Sequence, residues 1–283
     1  LDAGPRRGGE GPLRDDDPPP AWPLDDADDL VPAVAALVAA GEAFALVTLV
    51  AAEGGPRPVG SQMVVTATAF RGFLSGGCVE AEVARQARAA MAEGRPRRLT
   101  YGRGSPVFDI RLPCGGRIDL LVEPLAPGDP AMRALAEARA ARRPVRYRSD
   151  GQARHVAPPE AAPDPRWSVD RLHEPAQRLV VVGADAFALA IARAGIEQGW
   201  EATLVRPGGP AEPPPVAAAY RTDRPAAALA ALAPDPWTAV AVATHDAGLD
   251  VEALAAALRS RAGYVGVLGS RRRLDERRAG LLA

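Results

Sequence analysis

The sequence predicts an α/β chain in two parts: an N-terminal mixed α+β domain, then a doubly wound parallel sheet domain. Three observations carry this. After residue 178, runs that are apolar on both faces, such as "RLVVVG" and "TAVAVAT", alternate regularly with helical stretches. That grammar belongs to parallel strands covered by helices on both sides. Before residue 157, strands and helices mix without such regularity. Between the halves, "PPEAAPDPRWSVDRLHEPAQ", residues 158–177, is Pro-rich, breaks every period and reads as a linker.

Taken in order, residues 1–27 are crowded with Gly, Pro and Asp, lack a hydrophobic period and are expected to be disordered. The first domain then spans 28–157. "DDLVPAVAALVAAGE" reads as a helix with an acid near its start and Gly41 at its end. "AFALVTLVAA" reads as a buried strand, followed by a turn-rich loop at 53–61. "QMVVTAT" and "FRGFLS" pair around a short turn. "CVEAEVARQARAAMAEG" is a helix, apolar at Val79, Val83, Ala87 and Met91 and stopped by Gly94. "RRLTY" and "GGRIDLLVEPL" are strands, "DPAMRALAEARAARRP" is a helix, and "VRYRS" with "QARHVA" is a late hairpin. In 178–283, strands begin near 178, 201, 238 and 264, and helices follow near 185, 225, 250 and 271.

The length of 283 residues suits two ordinary domains, and 47% hydrophobic content can fill a core in each. Lys+Arg (34) and Asp+Glu (35) nearly cancel, so net charge gives no footprint for nucleic acid or an anionic membrane. No apolar run reaches the ~18 residues of a membrane span, and no signal peptide is visible. Two cysteines build no disulfide framework. The expectation is a cytoplasmic chain.

Both cysteines border a glycine pair. In "FLSGGCVEAEV", Cys78 follows Gly76 and Gly77 at a helix start. There, free N–H groups and the helix dipole would support a thiolate or an anion, and the glycines would admit a ligand. In "LPCGGRID", Cys114 precedes Gly115 and Gly116. The bland alternative is two small buried hydrophobes beside tight turns. No CxxC occurs and the three histidines are scattered, which argues against zinc.

"EGGPRPVGSQMVV", "GFLSGGCVEAEV" and "LPCGGRIDLLVEPL" together resemble the signatures of the XdhC/CoxI family, accessory proteins of molybdenum hydroxylases. "VVVGADAFALAIAR", "AVATHDAGLD" and "GYVGVLGSRRR" resemble that family's Rossmann domain. The resemblance spans roughly residues 30–280. It implies a non-catalytic protein that binds molybdenum cofactor (molybdopterin), supports its sulfuration and delivers it to the apo-enzyme of a xanthine dehydrogenase or carbon monoxide dehydrogenase type hydroxylase. It further implies a homodimer, with a cysteine desulfurase among the partners. The implied site is Cys78 and Cys114 as metal-contacting thiolates, to which molybdenum is soft enough to bind, with Glu80, Arg57, Gly76, Gly77, Gly115 and Gly116 around them. Glu80 reads equally as a first-turn acid complementing the helix dipole or as a proton-transfer group. Arg57, between two prolines, reads as a phosphate ligand or a solvated loop residue. Relative to the family pattern the chain stops early, so part of the crevice or a dimer contact is expected to be lost.

The second domain carries an altered dinucleotide fingerprint. In G-x-G-x-x-G/A the segment supplies Gly183 and Ala188, but Asp185 stands at the middle glycine, where the backbone meets the pyrophosphate. A like charge ~4 Å away costs about 1–4 kcal/mol at effective dielectrics of about 80 to 20. Binding of NAD(P) is therefore doubtful, although Arg206 after the second strand would suit a 2′-phosphate. His245 reads as an acid–base group or as part of a cap with Asp246. Gly269, Ser270 and Arg271 read as an anion site or the start of a solvated basic helix. Two alternatives to cofactor delivery remain: an NAD(P)-dependent oxidoreductase, and a degenerate paralogue that only binds the hydroxylase.

Overall fold

The computed structural model describes residues 29–55, 57–105, 112, 115–270 and 272–282. The segment expected to be disordered, 1–27, lies outside them, as do Cys114 and Arg271. The chain divides into two compact units, Leu1–Glu174 and Pro175–Ala283.

The first unit contains α1 (Val31–Ala40), β1 (Phe44–Glu53), β2 (Gln62–Val65), β3 (Phe70–Arg71), α2 (Glu80–Glu93), β4 (Arg97–Gly102), β5 (Arg117–Leu125), α3 (Pro130–Ala140), β6 (Val145–Ser149), β7 (Arg154–Ala157) and β8 (Val169–His173). Its main sheet is antiparallel in the order β3-β2-β1-β5-β4. β1 is buried on both faces from Phe44 to Leu49 because it is the central strand, and that stretch is apolar but for Thr48. Ala45, Val47 and Leu49 pack on the α2 side with Ile118, Leu120 and Val122 of β5. The alternate residues Phe44, Leu46, Leu121 and Leu125 join Val34 of α1 and Met132 of α3 on the other side, as the two-residue period of a strand requires. Gly41 and Gly94 end α1 and α2 in the left-handed conformation, and Asp129 caps α3 through the N–H groups of Ala131 and Met132.

A second sheet runs β7-β6-β8. Its outer strand β8 corrects the linker expectation: 169–173 is a paired strand, in register Val145↔His173 to Ser149↔Val169. Asp170 explains the recruitment, since it pairs with Arg146 (2.9 Å) and Arg148 (3.1 Å) on the neighbouring strand. Arg171 of β8 donates to Gly60 O (2.5 Å) and Gln62 Oε1 (3.0 Å), which braces the end of the 53–61 loop.

The second unit contains β9 (Arg178–Gly183), α4 (Ala186–Glu197), β10 (Glu201–Val205), β11 (Ala219–Arg221), α5 (Pro225–Leu232), β12 (Thr238–Ala243), α6 (Ala247–Arg259), β13 (Tyr264–Val267) and α7 (Arg272–Leu282). The five strands are parallel in the order β11-β10-β9-β12-β13. Helix α4 covers one face through Ala188 and Ala192. α5 and α6 cover the other through Ala228, Leu229, Ala253 and Leu254. The order reverses between β9 and β12, which places the switch point of a doubly wound sheet at their C-terminal ends. Short β11 was not visible in the sequence. No helix among the described residues is long and apolar enough to cross a membrane.

Candidate functional site

Between β3 and α2 the chain turns through Leu74–Val79. Gly76 (φ +82°) and Gly77 (φ +105°) hold left-handed conformations that side chains rarely adopt, and a Cβ at either would meet no atom within 4 Å. The glycines therefore answer a backbone requirement, and the outer side of the loop is open. Cys78 sits there as an exposed free thiol, two residues before the first helical residue.

Inside the loop lies Glu80, only 2% exposed. Its Oε1 accepts from the N–H groups of Leu74 (2.9 Å) and Ser75 (2.7 Å). Its Oε2 accepts from Gly77 N–H (2.9 Å), Val79 N–H (3.1 Å) and the Ser75 hydroxyl (2.8 Å). Ser75 Oγ in turn accepts from the N–H groups of Cys78 (3.1 Å) and Val79 (3.2 Å). Burial acts to raise the Glu80 pKa. The Ser75 and Leu74 N–H groups and the Ser75 hydroxyl outweigh it, and the carboxyl ends below its ordinary value. This revises the sequence expectation for Cys78: the N–H groups of 77, 78 and 79 already bond to Ser75 and Glu80, so they do not face a thiolate or anion. Glu80 is the inner clamp of the loop.

Cys114 lies outside the described residues, but its flanks are placed. Leu112, Leu74 and Val79 are buried in one hydrophobic cluster on the α2 side of the sheet. Gly116 is held by close approach: a Cβ there would stand 2.6 Å from Glu53 O and 2.8 Å from Gly54 O. Gly116 therefore touches the start of the loop that carries Arg57. Gly115 has φ +68° and open space beside it. Arg57 is half-buried and lies close enough to Arg171 for their charges to interact. Among the described residues, no group of three or more His, Cys, Asp or Glu side chains could hold a metal ion.

The second unit has its own crevice at the switch point, about 440 Å³, lined by Asp185, Phe187, Thr244, His245, Ser270 and Arg273 among others. Gly183 is required by contact, since a Cβ would lie 2.5 Å from Ala243 O and 2.8 Å from the Ala188 Cβ. Asp185 caps α4, its Oδ1 accepting from Ala188 N–H at 2.9 Å. Its Oδ2 lies 2.8 Å from His245 Nε2 across the crevice. The Ala188 N–H, and then His245, hold Asp185 below the ordinary carboxylate range. Asp246, not His245, caps α6, through Leu249 N–H.

The comparisons with known proteins agree with both regions. The XdhC and CoxI family profile matches residues 37–102, and that of the XdhC Rossmann domain matches 179–283. A molybdenum cofactor insertion chaperone of Escherichia coli (strain K12), PaoD, is 36% identical over 245 residues, 85% of this chain and 71% of the relative. The chain belongs to the XdhC/CoxI family. The solved structure of a xanthine dehydrogenase from Bacillus halodurans superposes with a TM-score of 0.68 at 21% identity, covering 87% of this chain and 84% of that one. At that identity it shows the fold. The match to the XdhC and CoxI profile includes Arg57, Cys78 and Glu80 and ends before Cys114.

Three participants escaped the sequence reading. Ser75 shares the clamp with Glu80. Glu123 of β5 is fully buried, accepting from the Ser149 hydroxyl and from Tyr147 OH (3.0 Å), and burial pushes its pKa up. In the second unit, buried Arg277 of α7 pairs with buried Asp250 of α6 at 2.6 Å and donates to Leu268 O (3.0 Å), while Thr244 Oγ1 donates to the other Asp250 oxygen (2.6 Å). Each looks like an ordinary surface polar residue in sequence, and only its neighbours turn it inward.

Proposed function

We propose that the chain takes the molybdenum cofactor as cargo at the Cys78 loop, supports its sulfuration and passes it to the apo-enzyme of a molybdenum hydroxylase. The observation that carries this is a free, exposed thiol on an open glycine turn whose inner side is fixed by Glu80. A soft thiolate is a suitable handle for molybdenum, and an accessible one can be reached by a cysteine desulfurase for sulfur exchange. Arg57, Gly115, Gly116 and Cys114 form the second part of the proposed site, with Arg57 receiving the pterin phosphate. The name of the 36%-identical relative supports the same reading. We further propose a homodimer in the cytoplasm.

The test is co-production with the enzymes of cofactor synthesis, followed by assay of the purified protein for molybdenum and pterin. Wild type should carry both near stoichiometry. Cys78→Ala should lose them while its stability stays within about 0.5 kcal/mol of wild type, as for a surface position. Retention of molybdenum by that variant would refute the assignment.

The oxidoreductase reading is disfavoured by Asp185, whose carboxylate occupies the α4 N-terminus where a pyrophosphate would sit. Calorimetry at millimolar NADH and NADPH should give no saturable binding; tight binding by the wild type would restore that reading.

A further inference from the structure

The start of α1 carries an arrangement that a thiol site at Cys78 does not explain. Three arginines from different parts of the first unit converge on it. Arg139 comes from the last turn of α3, Arg171 from β8 and Arg57 from the 53–61 loop, close enough to Arg171 for their charges to interact. Asp29 meets them. Its Oδ1 accepts from Val31 N–H (3.2 Å), its Oδ2 pairs with Arg139 (2.5 Å), and its charge also acts on Arg171. His173 of β8 reports the sign of the field. Burial, then Arg171 and Arg139, push its pKa down to about 3, and its Nε2 has no hydrogen-bond partner among the described residues. An imidazole kept neutral in this way marks a positive neighbourhood, where an acid is welcome.

The chain that leads into Asp29 supplies acids. Residues 15–28, outside the described residues, contain Asp15, Asp16, Asp17, Asp25, Asp26 and Asp28 and no Lys, Arg or His. Covalent geometry alone keeps part of this charge nearby. Asp25, Asp26 and Asp28 stand one to four residues before Asp29, so their Cα atoms lie within about 14 Å of its own. Asp15–Asp17 are twelve to fourteen residues away, a reach of about 40–50 Å. A short tether holds such groups at an effective concentration in the millimolar range, so ion pairs that are weak one by one act together.

We propose that the acidic stretch 15–28 docks on the Arg57–Arg139–Arg171 cluster of its own chain, as a strap over the 53–61 loop that an incoming anion must displace. The docking stands apart from the cargo reading. Its consequence for cargo rests on the assignment of a phosphate to Arg57: the unloaded chain keeps that arginine covered until a phosphate takes the strap's place.

The tests use the full chain without cofactor, so molybdenum content decides the cargo reading separately. Trp22 lies between the two groups of acids and serves as the probe. Its backbone ¹⁵N order parameter should exceed about 0.6 in wild type at low salt, and fall below that flexible limit in 1 M NaCl. Replacing the six aspartates by Asn touches nothing in the described fold and should lower it in the same way, as should Arg57→Gln or Arg139→Gln. Calorimetry with inorganic pyrophosphate gives the second readout. The six-Asn variant should bind it about 5- to 10-fold more tightly than wild type at 50 mM salt, since two or three weak ion pairs no longer compete, and the difference should vanish by 0.5 M. A flexible Trp22 in wild type, or one indifferent to both arginine variants, would overturn the docking. Equal pyrophosphate affinity of wild type and the six-Asn variant, including no binding by either, would overturn the competition. Order at Trp22 that disappears on tenfold dilution would place the strap on a second copy and overturn the assignment to its own chain.

Discussion

The starts of α2 and α4 each follow a glycine and carry an acid, and they do opposite things with it. At α2, Glu80 turns back beneath the preceding loop, takes its N–H groups and leaves the Cys78 thiol outside. At α4, Asp185 takes one N–H of its own helix and keeps its second oxygen in the crevice against His245. A glycine turn before a helix is therefore not an anion site by default. Where the nearest carboxylate points decides whether the helix start is sealed or left as a recognition surface.

The largest expected effect that separates the two is on stability. Glu80→Ala leaves the N–H groups at 74, 75 and 77 without their acceptor and Val79 N–H with Ser75 Oγ alone, and should cost about 3–5 kcal/mol in urea denaturation, given about 1.5–3 kcal/mol for a hydrogen bond to a charged group and partial relaxation toward water. A loss below about 1 kcal/mol would mean that the clamp is not the anchor of the loop. Asp185→Ala removes one cap bond and should cost only about 0.5–2 kcal/mol. Cys78→Ala, at an exposed position, should change stability by no more than about 0.5 kcal/mol.

Acid sharpens the contrast further. The folded Glu80 pKa is depressed, so its contribution is present above the unfolded carboxylate pKa and is lost as pH falls through the lower folded value. The stability gap between wild type and Glu80→Ala should shrink on acidification below the ordinary carboxylate range. Glu123 has the reverse sign. Its folded pKa is raised, so its contribution is full below the unfolded value and is lost as pH rises toward the folded one. Glu123→Gln should therefore look better relative to wild type at pH 7 than at pH 4; the opposite trend would show that the Arg154 partner, 3.5 Å away, keeps Glu123 ionised in the fold.

Most of the architecture was legible because it rests on period and punctuation. The alternation after residue 178, the stops at Gly41 and Gly94 and the pairing of β2 with β3 all follow from local rules. Strand β8 was not legible: "VDRLH" is short and charged, and only Arg146 and Arg148 on a strand some twenty residues earlier give Asp170 a reason to pair. At the site, the exposed thiol and the odd acid at Asp185 could be read from motif position. The direction of Glu80 could not, because a first-turn glutamate facing water and one facing the preceding loop are the same letter. Nor could the Asp185–His245 contact, which joins residues sixty positions apart.

The buried Arg277–Asp250 pair has a consequence for how the second unit would exchange a ligand. Arg277 holds Leu268 on the β13–α7 turn, and Asp250 holds Thr244 on the β12–α6 turn. Two walls of the crevice are thus riveted to one ion pair, and moving either would leave a charge stranded in the interior, a step that costs several kcal/mol. A ligand entering there meets surfaces already in place and loses little affinity to ordering them. With these two walls fixed, entry and release of a small molecule need no opening of the Thr244 or Leu268 turns.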